Sequence, residues 1–454
     1  MSRRYSVIGL GKLGASMAAA IASRGHVVIG ADIDPETVRR VRAGEAPVEE
    51  PGVAELLRAH GNRIEATTDT AAAVRETDVT FVVVPTPSEA DGSFSLAQAR
   101  VAMEEVGRGL AGTAGYHLVV MSSTVLPGAT RHGLVPVLEE ASGRVAGPDF
   151  GMCYSPKFIA LGSVIRDFLN PDFTLVGELD PRSGETLEAC YGELLENAAP
   201  CRRMSLENAE LAKVALNTYV TTKITFANML ADLCERLPGG DVDVVADALG
   251  LDRRVGRQYL TGATSYGGPC FPRDNHALAF LARALGTSAE LAETTDRLNR
   301  RETERLLDRI GEVRGRQVAV LGLAYKPETP VVEESAGLAI VDGLVARGAR
   351  VRAYDPLAGA SAATEMPAEV EVAPSARACV AGSAVVIVTT ADPAFVSLRP
   401  EDFAPGARIY DAWRGLRHLD GARGVSWVPV GRGSRDLTVR ERLARLWTAP
   451  VETR

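Results

Sequence analysis

The sequence predicts an α/β protein: two Rossmann-like domains with parallel sheets, joined by a helical central domain built around one long helix. Three observations predict it. Short apolar runs alternate with helical stretches through the first part of the chain, the strand signal disappears between about 205 and 310, and the alternation resumes from Gln317. The implied domains are 1–200, 201–310 and 311–454, as expected of 454 residues, too many for a single core.

The first run, Tyr5–Ile8, leads into Gly9-Leu10-Gly11-Lys12-Leu13-Gly14, which opens an Ala-rich helix ending near Arg24. Val27–Ala31 is the next strand and stops at Asp32. This is the strand–turn–helix setting in which G-x-G-x-x-G binds a dinucleotide. Gly9 makes the tight turn, Gly11 lets the backbone approach a pyrophosphate, and Gly14 allows close helix–strand packing. The phosphates then sit on the helix N-terminus at Lys12 and Leu13, where free N–H groups and the helix dipole favour negative charge. Asp32 lies 18 residues beyond Gly14. Its carboxylate can accept from both ribose hydroxyls and repels a 2′-phosphate, so NAD is favoured over NADP. The competing reading is a structural glycine turn in a Rossmann fold that binds something else.

Val79–Val84 is the fourth strand and runs into Pro85-Thr86-Pro87; after a helix over Leu96–Leu110 the fifth, His117–Met121, runs into Ser122-Ser123-Thr124. Open α/β sheets bind ligands at this carboxyl edge. Pro85, Thr86 and Thr124 are therefore candidate nicotinamide contacts, with turn capping as the alternative. Phe173–Val176 is a further strand.

Glu207–Leu237 is one long helix, ended by Pro238-Gly239-Gly240. Lys213 and Asn217, at i and i+4, share a face of it. An ammonium beside an amide can stabilise an oxyanion; an ordinary solvated face is the alternative. Lysine is scarce, with Lys12, Lys157, Lys213, Lys223 and Lys326 the only ones among fifty basic residues. Arginine serves wherever any solvated cation will do, so the remaining lysines mark places that need a compact charge. Tyr266-Gly267-Gly268-Pro269-Cys270-Phe271-Pro272-Arg273-Asp274 is the most informative segment. Its glycines let backbone wrap a ligand, and Pro272 suits the first turn of a helix continuing over Asn275–Leu285. Cys270 then sits at that helix's N-terminus, where a thiol becomes a thiolate nucleophile; a small buried hydrophobe is the alternative. Asp274 falls one turn later. In the last third, Val318–Gly322, Val351–Tyr354 (before Asp355), Val385–Thr389 and Arg408–Tyr410 read as strands and Ser335–Arg347 as a helix. This half follows the first in outline, without a sequence repeat strong enough to establish duplication.

A net charge of −8 gives no basic footprint for nucleic acid. No apolar run approaches the ~18 residues of a membrane span. The six cysteines show no CxxC pair, which argues against a zinc site or a disulfide framework. Met1–Arg4 leads straight into a strand and reads as no signal peptide, so a cytoplasmic location is expected.

Nine segments in order, IGLGKLG, ADIDPETV, VVPTP, SSTVLPGAT, YSPKFIALGSVIRDFLNPD, AELAKVALNTYVTTKITFAN, GLDRRVGRQYL, YGGPCFPRD and VLGLAYKPET, make the chain resemble the UDP-glucose/GDP-mannose dehydrogenase family. The resemblance implies two NAD-dependent oxidations at C6 of a nucleotide-linked hexose, with UDP-glucose favoured by the Asp167–Asp172 stretch. It implies a Cys270 thiohemiacetal and thioester, Lys213 and Asn217 on the C6 oxygen, Asp274 handling protons and water, and Thr124 near the attacking water. Lys326 would contact the substrate, and Phe158, Tyr259, Tyr266 and Gly267 would line or wrap it. Arg254 would reach the diphosphate from a neighbouring subunit, which implies a homodimer or a larger homo-oligomer. Two motif positions depart with reversed charge: Lys157 stands where the family has a glutamate that acts in hydrolysis, and Glu333 where it has arginine. The two reversals compensate if they lie close. Pro269 for serine and Lys12 for an aromatic are smaller departures. Lys157 therefore raises an altered outcome, or an inactive nucleotide-sugar-binding paralog, as alternatives to the full reaction.

Overall fold

The computed structural model describes residues 3–433 and 437–448. The chain divides into two compact units, Met1–Leu216 with Phe280–Gly286, and Asn217–Ala279 with Thr287–Arg454. The division falls inside the long helix, Leu206–Glu235.

The first unit is built on an eight-stranded sheet. Its strands are β1 (Arg4–Ile8), β2 (Val27–Ala31), β3 (Ile64–Thr67), β4 (Val79–Val82), β5 (His117–Met121), β6 (Phe150–Tyr154), β7 (Thr174–Glu178) and β8 (Cys201–Ser205). Their order is β3-β2-β1-β4-β5-β6-β7-β8. The central strands β4, β5 and β6 are buried along their whole length. Helices cover both faces, which is why these strands read as unbroken apolar runs rather than as alternation. One pair departs from the expected parallel arrangement: β7 runs antiparallel to β6. The helix between them, Val164–Leu169, has six residues. The chain re-enters the sheet from the edge it left.

The second unit holds a six-stranded parallel sheet of β9 (Gln317–Leu321), β10 (Arg350–Tyr354), β11 (Glu371–Val372), β12 (Val385–Val388), β13 (Ala407–Asp411) and β14 (Val425–Pro429). The order is β11-β10-β9-β12-β13-β14, the same as β3-β2-β1-β4-β5-β6 in the first unit. The likeness extends to backbone detail. Gly9 and Gly322 both have left-handed φ, 93° and 102°. Their N–H groups donate to Ala31 at 2.8 Å and to Tyr354 at 2.9 Å. A Cβ on Gly14 would lie 1.8 Å from the Gly9 oxygen, and one on Gly337 would lie 2.3 Å from the Gly322 oxygen. The repeat is architectural, and an inserted loop between Gly322 and Gly337 hides it from the sequence pattern.

The helical part of the chain comprises Leu206–Glu235, Val242–Gly250, Phe271–Ala284 and Glu290–Ile310. Observed ends fall within one or two residues of those expected, and Ser335, expected inside its helix, is instead the cap of Ala336–Ala346.

Candidate active site

In the first unit the turn after β1 is shaped for a pyrophosphate. A Cβ on Gly11 would meet nothing within 4 Å, so the space above the turn is open. Gly11 caps helix Lys12–Ser23 with no side-chain bond, which leaves the first N–H groups of that helix available to an anion. Asp32 accepts from the Leu10 N–H at 2.6 Å and the Asp34 N–H at 2.9 Å, which fixes the carboxylate and leaves it further acceptor capacity for ribose hydroxyls. The second unit lacks both openings. There Ser335 caps its own helix, accepting from Gly337 and Leu338. Asp355 accepts four backbone N–H groups, from Leu323, Ala324, Leu357 and Ala358. The dinucleotide site thus belongs to the first sheet alone among the two that share the topology.

At the carboxyl edge of the first sheet the two candidate turns are tied to each other. The Thr86 hydroxyl donates to the Thr124 carbonyl at 2.7 Å. The Ser123 hydroxyl accepts from the Val84 N–H at 3.0 Å and donates to the Val84 carbonyl at 2.6 Å. Beyond Thr124, a π-helical turn begins at Ala129 after left-handed Gly128. Its leading N–H groups, from Gly128 and Thr130, are accepted by the Glu210 carboxylate at 2.6 and 2.9 Å. Arg131 pairs with Glu207 on the same stretch of the long helix. Glu210 is fully buried. Burial pushes its carboxyl up, and the bonds from Thr130 and Gly128 oppose that. Sequence reasoning missed this residue, whose signal was an acid three positions before Lys213 on the inward face of a helix.

The Lys213 ammonium donates to the Lys157 carbonyl at 3.2 Å and lies 4.7 Å from the centre of the Phe158 ring, which itself packs on Phe173. Position 157 therefore meets Lys213 through its main chain. The Lys157 side chain goes elsewhere: its Nζ donates to the Tyr191 hydroxyl and lies 5.6, 5.6 and 4.5 Å from the Phe81, Phe168 and Tyr191 ring centres. The residue as a whole is partly exposed, but this ammonium is enclosed, and burial lowers its pKa to about 7. Among the described residues of the first unit no carboxylate pairs with it. In the second unit the Glu333 carbonyl accepts from the Gly268 N–H at 3.0 Å.

In the second unit, Cys270 immediately precedes helix Phe271–Ala284, with Pro272 in the first turn. It is exposed, whereas Cys153, Cys190, Cys234 and Cys379 are buried and Cys201 is half-buried. All five of those thiols are pushed up by burial. The small buried hydrophobe thus describes four other cysteines and not Cys270. One turn into the helix, Asp274 accepts from the Asn217 amide at 2.6 Å, and both residues are buried. Asn217 is thereby aimed by Asp274.

The loop leading to Cys270 is held by asparagines that imitate a peptide. Asn228 accepts from the Ala263 N–H at 2.8 Å and donates to the Thr264 carbonyl at 3.1 Å. Asn299 accepts from the Tyr266 N–H at 2.8 Å and donates to its carbonyl at 2.9 Å. Asn275 donates to the Tyr266 hydroxyl at 3.0 Å. Tyr266 is thus buried with its polar groups engaged. Tyr259 is half exposed with φ 64°, near Phe271. Gly267 has no room for a side chain, since a Cβ would lie 2.0 Å from the Glu334 oxygen. Lys326 Nζ lies 5.8 Å from the Tyr325 ring centre. The Arg254 side chain is 88% exposed and, among the described residues, is paired to Asp252 in its own turn. Asn228, Asn299 and Asn275 went unread in the sequence. Their signal was polar residues on buried helix faces, Asn228 sitting eleven residues, three helical turns, beyond Asn217.

Three family models match successive parts of the chain. The NAD binding domain of the UDP-glucose/GDP-mannose dehydrogenase family matches residues 3–195, its central domain 207–301 and its UDP binding domain 319–418. Among characterised relatives, the UDP-glucose 6-dehydrogenase AglM of Haloferax volcanii is 36% identical over 93% of this chain and 97% of that protein. A GDP-mannose 6-dehydrogenase of Pseudomonas putida is 35% identical over 78% of this chain and 80% of its own. Among solved structures, a UDP-glucose dehydrogenase from the archaeon Pyrobaculum islandicum superposes with a TM-score of 0.86 at 34% identity, covering 95% of this chain and 98% of that one.

Proposed function

The chain belongs to the UDP-glucose/GDP-mannose dehydrogenase family, and from that premise we propose that it oxidises UDP-glucose to UDP-glucuronate through a covalent Cys270 intermediate. It is an NAD-dependent nucleotide-sugar 6-dehydrogenase. The relatives divide between UDP-glucose and GDP-mannose; UDP-glucose is supported by the TM-score of 0.86 at 34% identity with the Pyrobaculum islandicum UDP-glucose dehydrogenase.

The observation that carries the mechanism is the one exposed cysteine, at a helix start, followed one turn later by a buried Asp274–Asn217 pair. NAD bound at the first sheet would supply the hydride acceptor for each of the two oxidations at C6. The chain's own residues do the rest. The Cys270 thiolate, favoured by the helix N-terminus, adds to the C6 aldehyde to give a thiohemiacetal. Lys213 and Asn217 stabilise charge on the C6 oxygen. After the second oxidation the resulting thioester is hydrolysed, with Asp274 receiving water's proton and Thr124 orienting that water. Gly9, Gly11, Lys12, Leu13, Gly14, Asp32, Pro85 and Thr86 serve the cofactor, and Phe158, Tyr259, Gly267 and Lys326 the sugar nucleotide. A second reading keeps the chemistry but slows its last step, because position 157 offers an enclosed ammonium instead of a base.

Incubating the enzyme with UDP-glucose and excess NAD, with product identified by mass, is expected to yield two NADH per sugar and UDP-glucuronate. A single NADH per sugar with a trapped thioester supports the second reading. No turnover with UDP-glucose, but turnover with another sugar nucleotide, overturns the substrate assignment.

The protein also acts as a homodimer or larger homo-oligomer in this proposal. Tyr219, Phe226 and Leu233 repeat every seven residues along the long helix and are 59%, 43% and 51% exposed, with Met229 at 48% beside them. Nearby in sequence, Leu251 is 86% exposed, just ahead of the outward-facing Arg254. An apolar stripe at this period is the seam of a helix pair. Phe226→Glu is expected to halve the solution mass seen by light scattering. A parent protein that is already monomeric contradicts the proposal.

A further inference from the structure

Glu210 is a buried acid that the proposed chemistry leaves unused. It lies wholly inside the first unit, and each carboxylate oxygen takes one backbone N–H, Oε2 from Gly128 at 2.6 Å and Oε1 from Thr130 at 2.9 Å. Enclosing a carboxylate costs free energy that an apolar side chain does not incur, so packing alone is no reason for an acid here. Two charged acceptors in one rigid fork do what packing cannot: they fix the direction of two N–H groups of the same turn. The other end of that turn is fixed on the neighbouring strand. The Ser122 N–H donates to the Val82 carbonyl at 2.9 Å, and the Thr86 hydroxyl donates to the Thr124 carbonyl at 2.7 Å. Only Val125, Leu126 and Pro127 separate Thr124 from Gly128. Val125 is fully buried, Pro127 fixes its own φ, and the Ala129 N–H closes on the Leu126 carbonyl at 3.0 Å. The span has little freedom of its own, so what holds Gly128 also holds Thr124. Lys213 follows Glu210 by three residues, about 4.5 Å along the axis of the same helix. The acid therefore ties the Thr124 turn to the helix that carries Lys213.

We propose that Glu210 is a positioning residue, which sets the Thr124 hydroxyl relative to Lys213 for hydrolysis of the thioester. The inference rests on the roles given above to Cys270, Lys213 and Thr124. In that step the oxygen of water adds to the thioester carbon, and water's proton passes to Asp274 and on to solvent. The C–S bond then breaks, and its electron pair leaves on the Cys270 sulfur. Glu210 exchanges no proton and touches no reacting atom. It acts through the Thr124 turn, so its loss falls on the step that needs an oriented water and spares the two that pass hydride.

The test is Glu210→Gln in the full-length enzyme, which keeps the size of the side chain and turns one acceptor into a donor that cannot take the second N–H. The variant is mixed rapidly with UDP-glucose and excess NAD. The expected result is a burst of about two NADH per active site, followed by slow turnover, with the uronyl thioester visible on Cys270 by intact mass. The kcat falls about tenfold, as for one lost charge-assisted bond, with KM for both substrates nearly unchanged. Glu210→Asp keeps the charge but is a methylene too short for both N–H groups, and is expected to give the same burst with a smaller fall. Thr124→Ala supplies the decisive arm. If the acid acts through Thr124, adding Glu210→Gln to Thr124→Ala lowers kcat no further, whereas independent effects multiply. Multiplying effects overturn the proposal, as does a fall in kcat without accumulated thioester. Acid formation that survives Cys270→Ser overturns the covalent reading itself, so the two failures are distinguishable.

Discussion

Cys270→Ser is expected to cut uronic acid formation by at least about a thousandfold while the protein still folds and binds the sugar nucleotide. A serine hydroxyl at the same helix start is almost wholly protonated near neutral pH, whereas a thiol there is poised to ionise. The substitution removes one sulfur at an exposed position, so no cavity opens and stability changes little. The loop that presents residue 270 is held independently of it, by Asn228 and Asn299. The measurement is acid produced per enzyme by mass spectrometry, beside a thermal melt. Undiminished acid in a folded variant means that the aldehyde is oxidised without a covalent intermediate.

Lys157→Met is expected to raise stability by about 1–3 kcal/mol at pH 6–7, with the gain shrinking as pH rises. The Lys157 ammonium is enclosed by Phe81, Phe168 and Tyr191 with a phenol as its hydrogen-bond partner. Burial brings its pKa from 10.5 to about 7. At pH 6 both folded and unfolded chains carry the proton, and folding bears the full cost of enclosing the charge. Between pH 7 and 10.5 the unfolded chain binds a proton that the folded one has released, so the parent's stability gains with pH across that window. Above it the cost is gone. Methionine fills the same volume without charge, and Tyr191 keeps Ser155 at 2.5 Å as a partner for its hydroxyl. Chemical unfolding of both proteins at pH 6 and pH 9 reads the effect, and other titrations cancel in the difference. A variant that gains nothing at pH 6, or gains equally at both values, shows that the ammonium is solvated in the folded protein.

These two positions also separate what could be read from the sequence from what could not. Cys270 was legible because its setting is local: two glycines, then a cysteine, then a proline in a first turn determine a loop and a helix start within a dozen residues. The dinucleotide turn was legible for the same reason, its glycines and Asp32 acting through backbone geometry over a short span. Lys157 could be recognised as a departure, but the direction of its side chain depends on rings from β4 and from two helices far along the chain. The reversed strand β7 escaped notice because strand direction follows from whether a connection crosses the sheet, which neither composition nor periodicity records.

The sequence by itself determined the α/β class, the two alternating halves with helices between them, the pyrophosphate turn, and the helix start that follows Cys270. Each of these rests on periodicity or on spacing within one or two turns. Tertiary structure alone decided that only one of two matching sheets keeps an open helix N-terminus, since Ser335 and Asp355 close the other through bonds to their own loops. It alone set Glu210 on the turn at Gly128, the asparagines on the Cys270 loop, and Tyr325 on Gly268. Those contacts join residues from about thirty to more than eighty positions apart, where a hydrogen bond or a steric fit is set by how packed elements meet, not by the order of the residues that make it.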